Sequence, residues 1–368
     1  MLIMKSICKV LFLLSALILV FTQCEKEEPE PEPLIPDENF LNALIELGVD
    51  TDYDGEISPE EARAIEYLDV SARGIVDMKG LEVFIYLQTL LCYDNQIRIL
   101  DVSKNTDLTT LDCHNNNIGR LDVGHLSDLV SLDCEDNLIN ALLIPSNLLL
   151  ENLNCIRNNI STLDVSSCSR LYNLYCGNNQ LGELNLLANS SLVTLSCISM
   201  QLSSLDLSKN PALTSLNCGY NQISTLDLSK QADLEFLSCP VNLLSSLDIS
   251  NNPHLDYMVC GTNQISSLDV SNNTSLEILL CSYLQLSTLD VSGLTELLVL
   301  NCRANLLTSM DISNNQKLGQ GFWDITLDIR DMPDLFEVCV WATPFPPEGM
   351  GVNSTGSPNA YFTTECIN

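Results

Sequence analysis

Basic residues are scarce in this chain. Its 368 residues hold 16 Lys and Arg against 48 Asp and Glu, a net charge of −32. That balance argues against nucleic acid, whose binding needs Lys and Arg to replace counterions. It argues equally against peripheral attachment to anionic lipid. Aromatics make up 6% of the chain, with two Trp. Few large rings with much Leu, Asn, Ser and Asp suit a thin, layered core better than a thick globular one. Three histidines, His114, His125 and His254, fall at unrelated spacings. No nucleophile elbow, phosphate loop or paired metal ligand of enzyme type accompanies them, so no catalysis is expected. The longest apolar run near the start, Val10 to Phe21, is short of the roughly 20 residues of a comfortable membrane span. It follows Lys5 and Lys9, and residues 1–23 read as an export signal.

That run ends at Thr22-Gln23-Cys24, followed by Glu25-Lys26-Glu27-Glu28. A cysteine there resembles a lipobox, in which Cys24 is lipidated and becomes the mature N-terminus. Gln23 departs from the small residue of the strict box, but the acidic patch is similar to the surface-export signal of Bacteroidetes lipoproteins. The resemblance implies a lipid-anchored, surface-exposed protein of a bacterial outer membrane. Residues 24–36 alternate Glu and Pro, bury nothing and read as a stiff tether.

Residues 37–67 read as an N-terminal cap. Within it, Asp50-Thr-Asp52-Tyr-Asp54-Gly55-Glu56-Ile57-Ser58-Pro-Glu60-Glu61 fits a twelve-residue EF-hand loop. Asp50, Asp52 and Asp54 supply oxygens at positions 1, 3 and 5, and Gly55 permits the turn at 6. Glu56 offers its carbonyl at 7, Ser58 ligates at 9 directly or through water, and Glu61 is the bidentate carboxylate at 12. A structural Ca²⁺ that staples the cap is the expected occupant; an acidic turn without metal is the alternative.

Eleven cysteines recur every 21 residues: 92, 113, 134, 155, 176, 197, 218, 239, 260, 281 and 302. Relative to each, a Leu lies five before, a Leu (Met258 once) two before, an Ile or Leu five after, and a Leu (Met310 once) eight after. Asn lies three after in nine of the eleven, with Met200 and Leu284 the exceptions. Leu and Cys two apart on an extended segment face one side. One turn cannot bury that face, but stacked turns can, about 4.8 Å apart in a parallel sheet. The pattern resembles the leucine-rich repeat, in its cysteine-ladder, internalin-like form. The resemblance covers residues 37–368. It implies an α/β repeat solenoid over 68–340, with a parallel β-sheet on the concave face, a helical EF-hand-like cap before it and a closing cap at 341–368. It also implies that the Asn side chain bonds the backbone of its own and adjacent turns; the turns of Met200 and Leu284 are then expected to be less regular.

In this frame the cysteines are small buried hydrophobes, since an odd column without His suits neither disulfides nor metal. Val70 and Val340 take the cysteine slot at the two ends. Cys339 and Cys366 lie outside the column and are expected to pair; Cys168 reads as a loop thiol. Nine Asp stand nine after the column cysteines, usually with Ser two later. Asx turns explain them by default, and a column of cation sites is the other reading. On the concave face, early turns give an acidic patch with Asp112, His114 and Glu135. Later turns give an aromatic stripe with Tyr172, Tyr175, Tyr220, Phe236, Tyr257 and Tyr283. These residues are the candidates for gripping a protein partner or, alternatively, stacking on a polysaccharide. The chain is expected to be monomeric, with no contact to membrane beyond the Cys24 anchor.

Overall fold

A computed structural model describes residues 34–144, 146–320 and 324–366. The export segment, Cys24, most of the tether, Phe322 and Trp323 lie outside these. No helix among the described residues is long and apolar enough to cross a membrane.

Each turn contributes a three-residue strand centred on the Leu two before the cysteine. Because the period is constant, each residue meets its counterpart one turn away. Leu90, Leu111 and Leu132 align in register, as do Leu216, Leu237 and Met258. The eleven strands before the column cysteines, with Tyr67–Asp69 at one end and Leu327–Asp328 and Val352–Asn353 at the other, form one fourteen-stranded parallel sheet. The eleven column cysteines are fully buried behind it. Half a turn later the chain is extended again, and Leu121 and Val123, eight and ten after Cys113, point into the same core. Here Arg120–Asp122 pairs with Ala141–Leu143, and Ser309–Asp311 pairs with Glu337–Cys339, which pairs with Tyr361–Thr363. One continuous apolar cluster runs from Ile35 to Met350.

The polar backbone inside this core is satisfied by side-chain amides. Asn116 donates from Nδ2 to the carbonyls of Cys92 (3.0 Å) and Cys113 (3.1 Å), and its Oδ1 accepts from the Ile97 amide at 2.9 Å. Each Asn thus ties its own turn to the one before. Met200 breaks this ladder with a local change of backbone: Gln201 adopts φ 60°, and the Gly182 amide donates to the Met200 carbonyl. Leu284 breaks it without such a change, because the Gln285 amide still donates to Ile265 at 3.0 Å, as Gln264 does to Leu244. The expected irregularity is therefore found in one turn of the two.

A second amide column, which the Leu, Cys and Asn offsets do not announce, runs beside the first. Asn105, Asn147, Asn189, Asn210, Gln231, Asn252, Asn273 and Asn315, thirteen after their cysteines, are all fully buried. Asn210 donates to the carbonyls of Leu186 (3.1 Å) and Asn189 (2.8 Å), and the others repeat the pattern. Leu126, Cys168 and Leu294 fill the same position in the remaining turns. Cys168 is a free thiol in a loop, as expected, and it is also buried: it is an apolar replacement in this column, with no exposed surface.

Every residue two after a column cysteine has a left-handed backbone, from Asp94 (φ 55°) to Ala304 (φ 55°). Even the β-branched Val241 and Thr262 adopt it, at φ 55° and 57°. Such residues resist this conformation. Here it aims each amide at a carbonyl of the next turn: Val241 donates to Gly261 at 3.0 Å and Thr262 to Ser282 at 2.9 Å.

The C-terminal register differs from expectation. The cysteine slot after Cys302 belongs to Ile329, since Leu300 pairs with Leu327 and Asn301 with Asp328. Val340 instead follows the strand Glu337–Cys339, whose Val338 aligns with Met310 half a turn away. The reason is degeneracy: both halves of a turn read apolar-x-x-apolar-x-apolar, and the longer turn before Leu327 displaces the count. Stacking also continues through the segment read as a cap, since Val352–Asn353 adds the last strand of the large sheet. Cys339 and Cys366 form a disulfide there, with Cα atoms 5.5 Å apart.

At the other end, the helix Glu38–Glu46 buries Phe40, Ala43 and Leu44. Asp37 caps it by accepting from the Phe40 amide at 2.9 Å. Its other oxygen accepts from Val76 and Asp77, which ties the cap to the first turn of the stack.

Candidate functional site

The cap loop brings three of its six proposed ligands together. Carboxylate oxygens of Asp50, Asp52 and Asp54 lie within 4.8 Å of one another. Tyr53 (φ 63°) and Gly55 (φ 85°) make the turn, and their amides donate to Asp50 at 2.7 and 3.1 Å. Ile57 is buried as expected of the eighth residue. Glu61 is engaged elsewhere: Oε1 accepts from the amide and hydroxyl of Thr51, and Oε2 from those of Ser58. These bonds hold its carboxyl down to about 2. Ser58 also caps the short helix Pro59–Ala62, and its Oγ accepts from the Glu61 amide. The side chain of Glu56 donates no ligand to the cluster; its carbonyl is the group the loop pattern assigns.

The face of the large sheet carries the other candidates. Asp112, one before Cys113, aligns across paired strands with Asp133. His114 Nδ1 lies 2.7 Å from Asp112 Oδ1, and the imidazole stacks on Tyr93 with centroids 4.6 Å apart and planes 7° apart. The neighbouring carboxylates hold the imidazole above its ordinary pKa against the opposing effect of burial. Burial raises the Asp133 carboxyl. Asn154 donates to Asp133 at 3.1 Å and to Glu135 at 2.7 Å. Arg157 pairs with Glu135 (2.6 Å) and Asp136 (2.5 Å).

In the later turns Phe236 and Tyr257, three before their cysteines, stack with centroids 4.9 Å apart and planes 19° apart. Tyr283 lies under the Arg303 guanidinium, 5.1 Å from its ring centroid. Tyr220 shares the left-handed column with Tyr283 but stands three turns away, with Val241 and Thr262 between them. Tyr172 is exposed and Tyr175 half-buried in one earlier turn. The aromatics are thus one stacked pair and several separated rings along the sheet.

The Asp column nine after the cysteines forms Asx turns. Asp206, Asp227, Asp248 and Asp269 each accept from the amide two residues on, at 2.9 to 3.0 Å. Those bonds lower their carboxyls. The column cysteines are the opposite case: burial pushes the Cys218 and Cys281 thiols up to about 12, which leaves almost no thiolate.

Parallel strands at a 21-residue period, a buried cysteine column and side-chain amide ladders define a leucine-rich-repeat protein. No protein-family model matches the chain, and no curated protein sequence does. Solved structures do. The functional domain of InlJ from Listeria monocytogenes, which includes a cysteine ladder, is 34% identical. That match covers 78% of this chain and 68% of InlJ's, with a TM-score of 0.68. The internalin inlF from Listeria monocytogenes is 18% identical over 93% of this chain and 100% of its own, with a TM-score of 0.66. YopM, a leucine-rich effector protein from Yersinia pestis, is 19% identical over 93% and 99%, with a TM-score of 0.58. The chain belongs to the internalin-like leucine-rich-repeat proteins with a cysteine ladder.

Proposed function

We propose that the protein is a binding module, tethered at the cell surface, that captures a protein partner on the face of its large sheet. The observation that carries this reading is the stacked Phe236–Tyr257 pair, half-exposed on that face. Large rings left facing solvent on an ordered sheet supply contact area at little entropic cost, and aromatic residues dominate binding hot spots. Solenoid sheets present extended concave surfaces for such contacts. Tethering through Cys24 to a bacterial outer membrane rests on the sequence of residues 1–36 alone. Capture from an array of host proteins is expected to fall at least about tenfold in the Tyr220→Ala, Tyr257→Ala double variant, the order of effect of losing one or more hot-spot rings. Undiminished capture would remove this face from consideration. The Phe236–Tyr257 platform equally favours a carbohydrate ligand, and binding on a glycan array with silence on the protein array would replace the first reading with the second.

The cap loop is proposed to hold a structural Ca²⁺ through Asp50, Asp52 and Asp54, the Glu56 carbonyl, Ser58 and Glu61. Its support is the convergence of three carboxylates in the loop pattern. Glu61 must then leave its bonds to Thr51 and Ser58, which would weaken the site. Binding to the folded state alone raises stability by mass action. Thermal unfolding is therefore expected to shift upward by a few degrees with excess Ca²⁺ and to return with chelator. A Ca²⁺-indifferent melting temperature, together with no heat in calorimetry, would leave the loop an acidic turn.

A further inference from the structure

The geometry points to a second, chemically different metal site: we propose that Asp112, His114 and Asp133 on the sheet face bind a divalent d-block cation of the zinc class. The three side chains each offer a ligand atom, and these atoms lie within 4.8 Å of one another. Zinc takes nitrogen and oxygen donors at about 2.0–2.2 Å, so donors around it stand roughly 3–4 Å apart. Small side-chain rotations bring this cluster to that spacing. The donor set separates it from the cap loop. Three oxygens suit Ca²⁺, whereas an imidazole between two carboxylates selects zinc, cobalt or nickel over the hard cations.

The placement follows from the repeat. Strand register puts Asp112 directly beside Asp133, two like charges on a half-buried surface. The left-handed turn after Cys113 leaves His114 alongside them, hydrogen-bonded to Asp112. Groups outside the triad hold the donors in place. Tyr93 fixes the imidazole plane, while Asn154 donates to Oδ2 of Asp133 at 3.1 Å and the Glu135 amide to Oδ1 at 3.0 Å, each oxygen keeping a second lone pair for the ion. Such outer partners orient metal ligands in known sites. Arg157 ties up Glu135 and Asp136, so the nearby carboxylates do not dilute the choice of ligands. Three protein donors leave a fourth position toward solvent, for water or for a carboxylate of a docked molecule. The proposal rests on this cluster and not on the aromatic pair, which lies several turns away.

The test uses the full chain, stripped with chelator and then held in excess Ca²⁺ so that the oxygen-only loop does not compete. Zn²⁺ calorimetry is expected to give one site per chain, and Co²⁺ to give visible d–d absorption without thiolate charge transfer. His114→Ala and the near-isosteric Asp133→Asn are each expected to weaken Zn²⁺ by at least about tenfold with an unchanged circular dichroism spectrum. His125→Ala and His254→Ala should leave it unchanged. Three results would each overturn the proposal: no Zn²⁺ heat, binding indifferent to both His114→Ala and Asp133→Asn, or thiolate charge transfer placing the ion on the cysteine column.

Discussion

Asn242→Ala is expected to destabilise the fold by about 3 kcal/mol, measured by urea unfolding, although the residue touches no surface ligand. Its Nδ2 donates to the carbonyls of Cys218 (3.0 Å) and Cys239 (3.2 Å), and its Oδ1 accepts from the Ile223 amide at 3.0 Å. Alanine leaves these buried groups without that partner, and each orphaned backbone group costs about 1–3 kcal/mol. A void the size of the lost amide adds to the penalty. The chain itself indicates which substitution is milder. Met200 fills the same position, with its sulfur 3.7 Å from the Cys176 thiol, in a turn whose backbone has adjusted. Asn242→Met is therefore expected to cost less than Asn242→Ala. Equal stability of the alanine variant and the parent would show that the ladder is dispensable.

The largest contrast is expected between two deletions. Removing residues 222–242 takes out one 21-residue turn and joins Asn221 to Leu243, so each following side chain keeps its place. The shortened protein should fold, unfold cooperatively and melt within several degrees of the parent. Removing 222–243 takes one residue more. A turn one residue short has nothing to loop out, and its inward Leu and Cys positions fall out of phase with both neighbours. Circular dichroism melts should then lose their cooperative transition or fall by tens of degrees. The same logic explains why the longer turn before Leu327 is tolerated: extra residues can be accommodated outside the stack, and missing ones cannot.

The main architecture was legible because one spacing carries it. Leu, Cys and Asn at fixed offsets determine an inward face, a parallel register and an amide ladder, and the structure has all three. The second amide column is equally periodic, but Leu126, Cys168 and Leu294 interrupt it in three turns, and Asn beside a turn reads as a solvent-facing residue as readily as a buried one. The register at Val340 was not legible, since Leu335-x-x-Val338-x-Val340 fits either half of a turn. Pairing decides between them, and pairing depends on how many residues the preceding turn absorbs. Among the candidate residues, the Phe236–Tyr257 contact follows from their shared offset. The separation of Tyr220 from Tyr283 follows from counting turns. The stacking of Tyr93 on His114 was missed, although both occupy the position after a column cysteine. Glu61 shows the limit of motif reading: its place in the loop pattern was plain, but Thr51 and Ser58 compete for the same oxygens, and a sequence does not rank competitors.

The buried column has a consequence for when the chain must fold. Twelve free thiols among the described residues, the eleven of the column and Cys168, are sealed in the core, with their ionisation suppressed by burial. They are inert only once the turns have stacked. In an unfolded chain each is an ordinary exposed thiol with a pKa near 8.5, open to oxidants and to one another. In an oxidising compartment, folding and mispairing therefore become a race. The architecture favours the folder: every turn needs only its immediate neighbour, so protection can spread along the column one thiol at a time from whichever turn closes first.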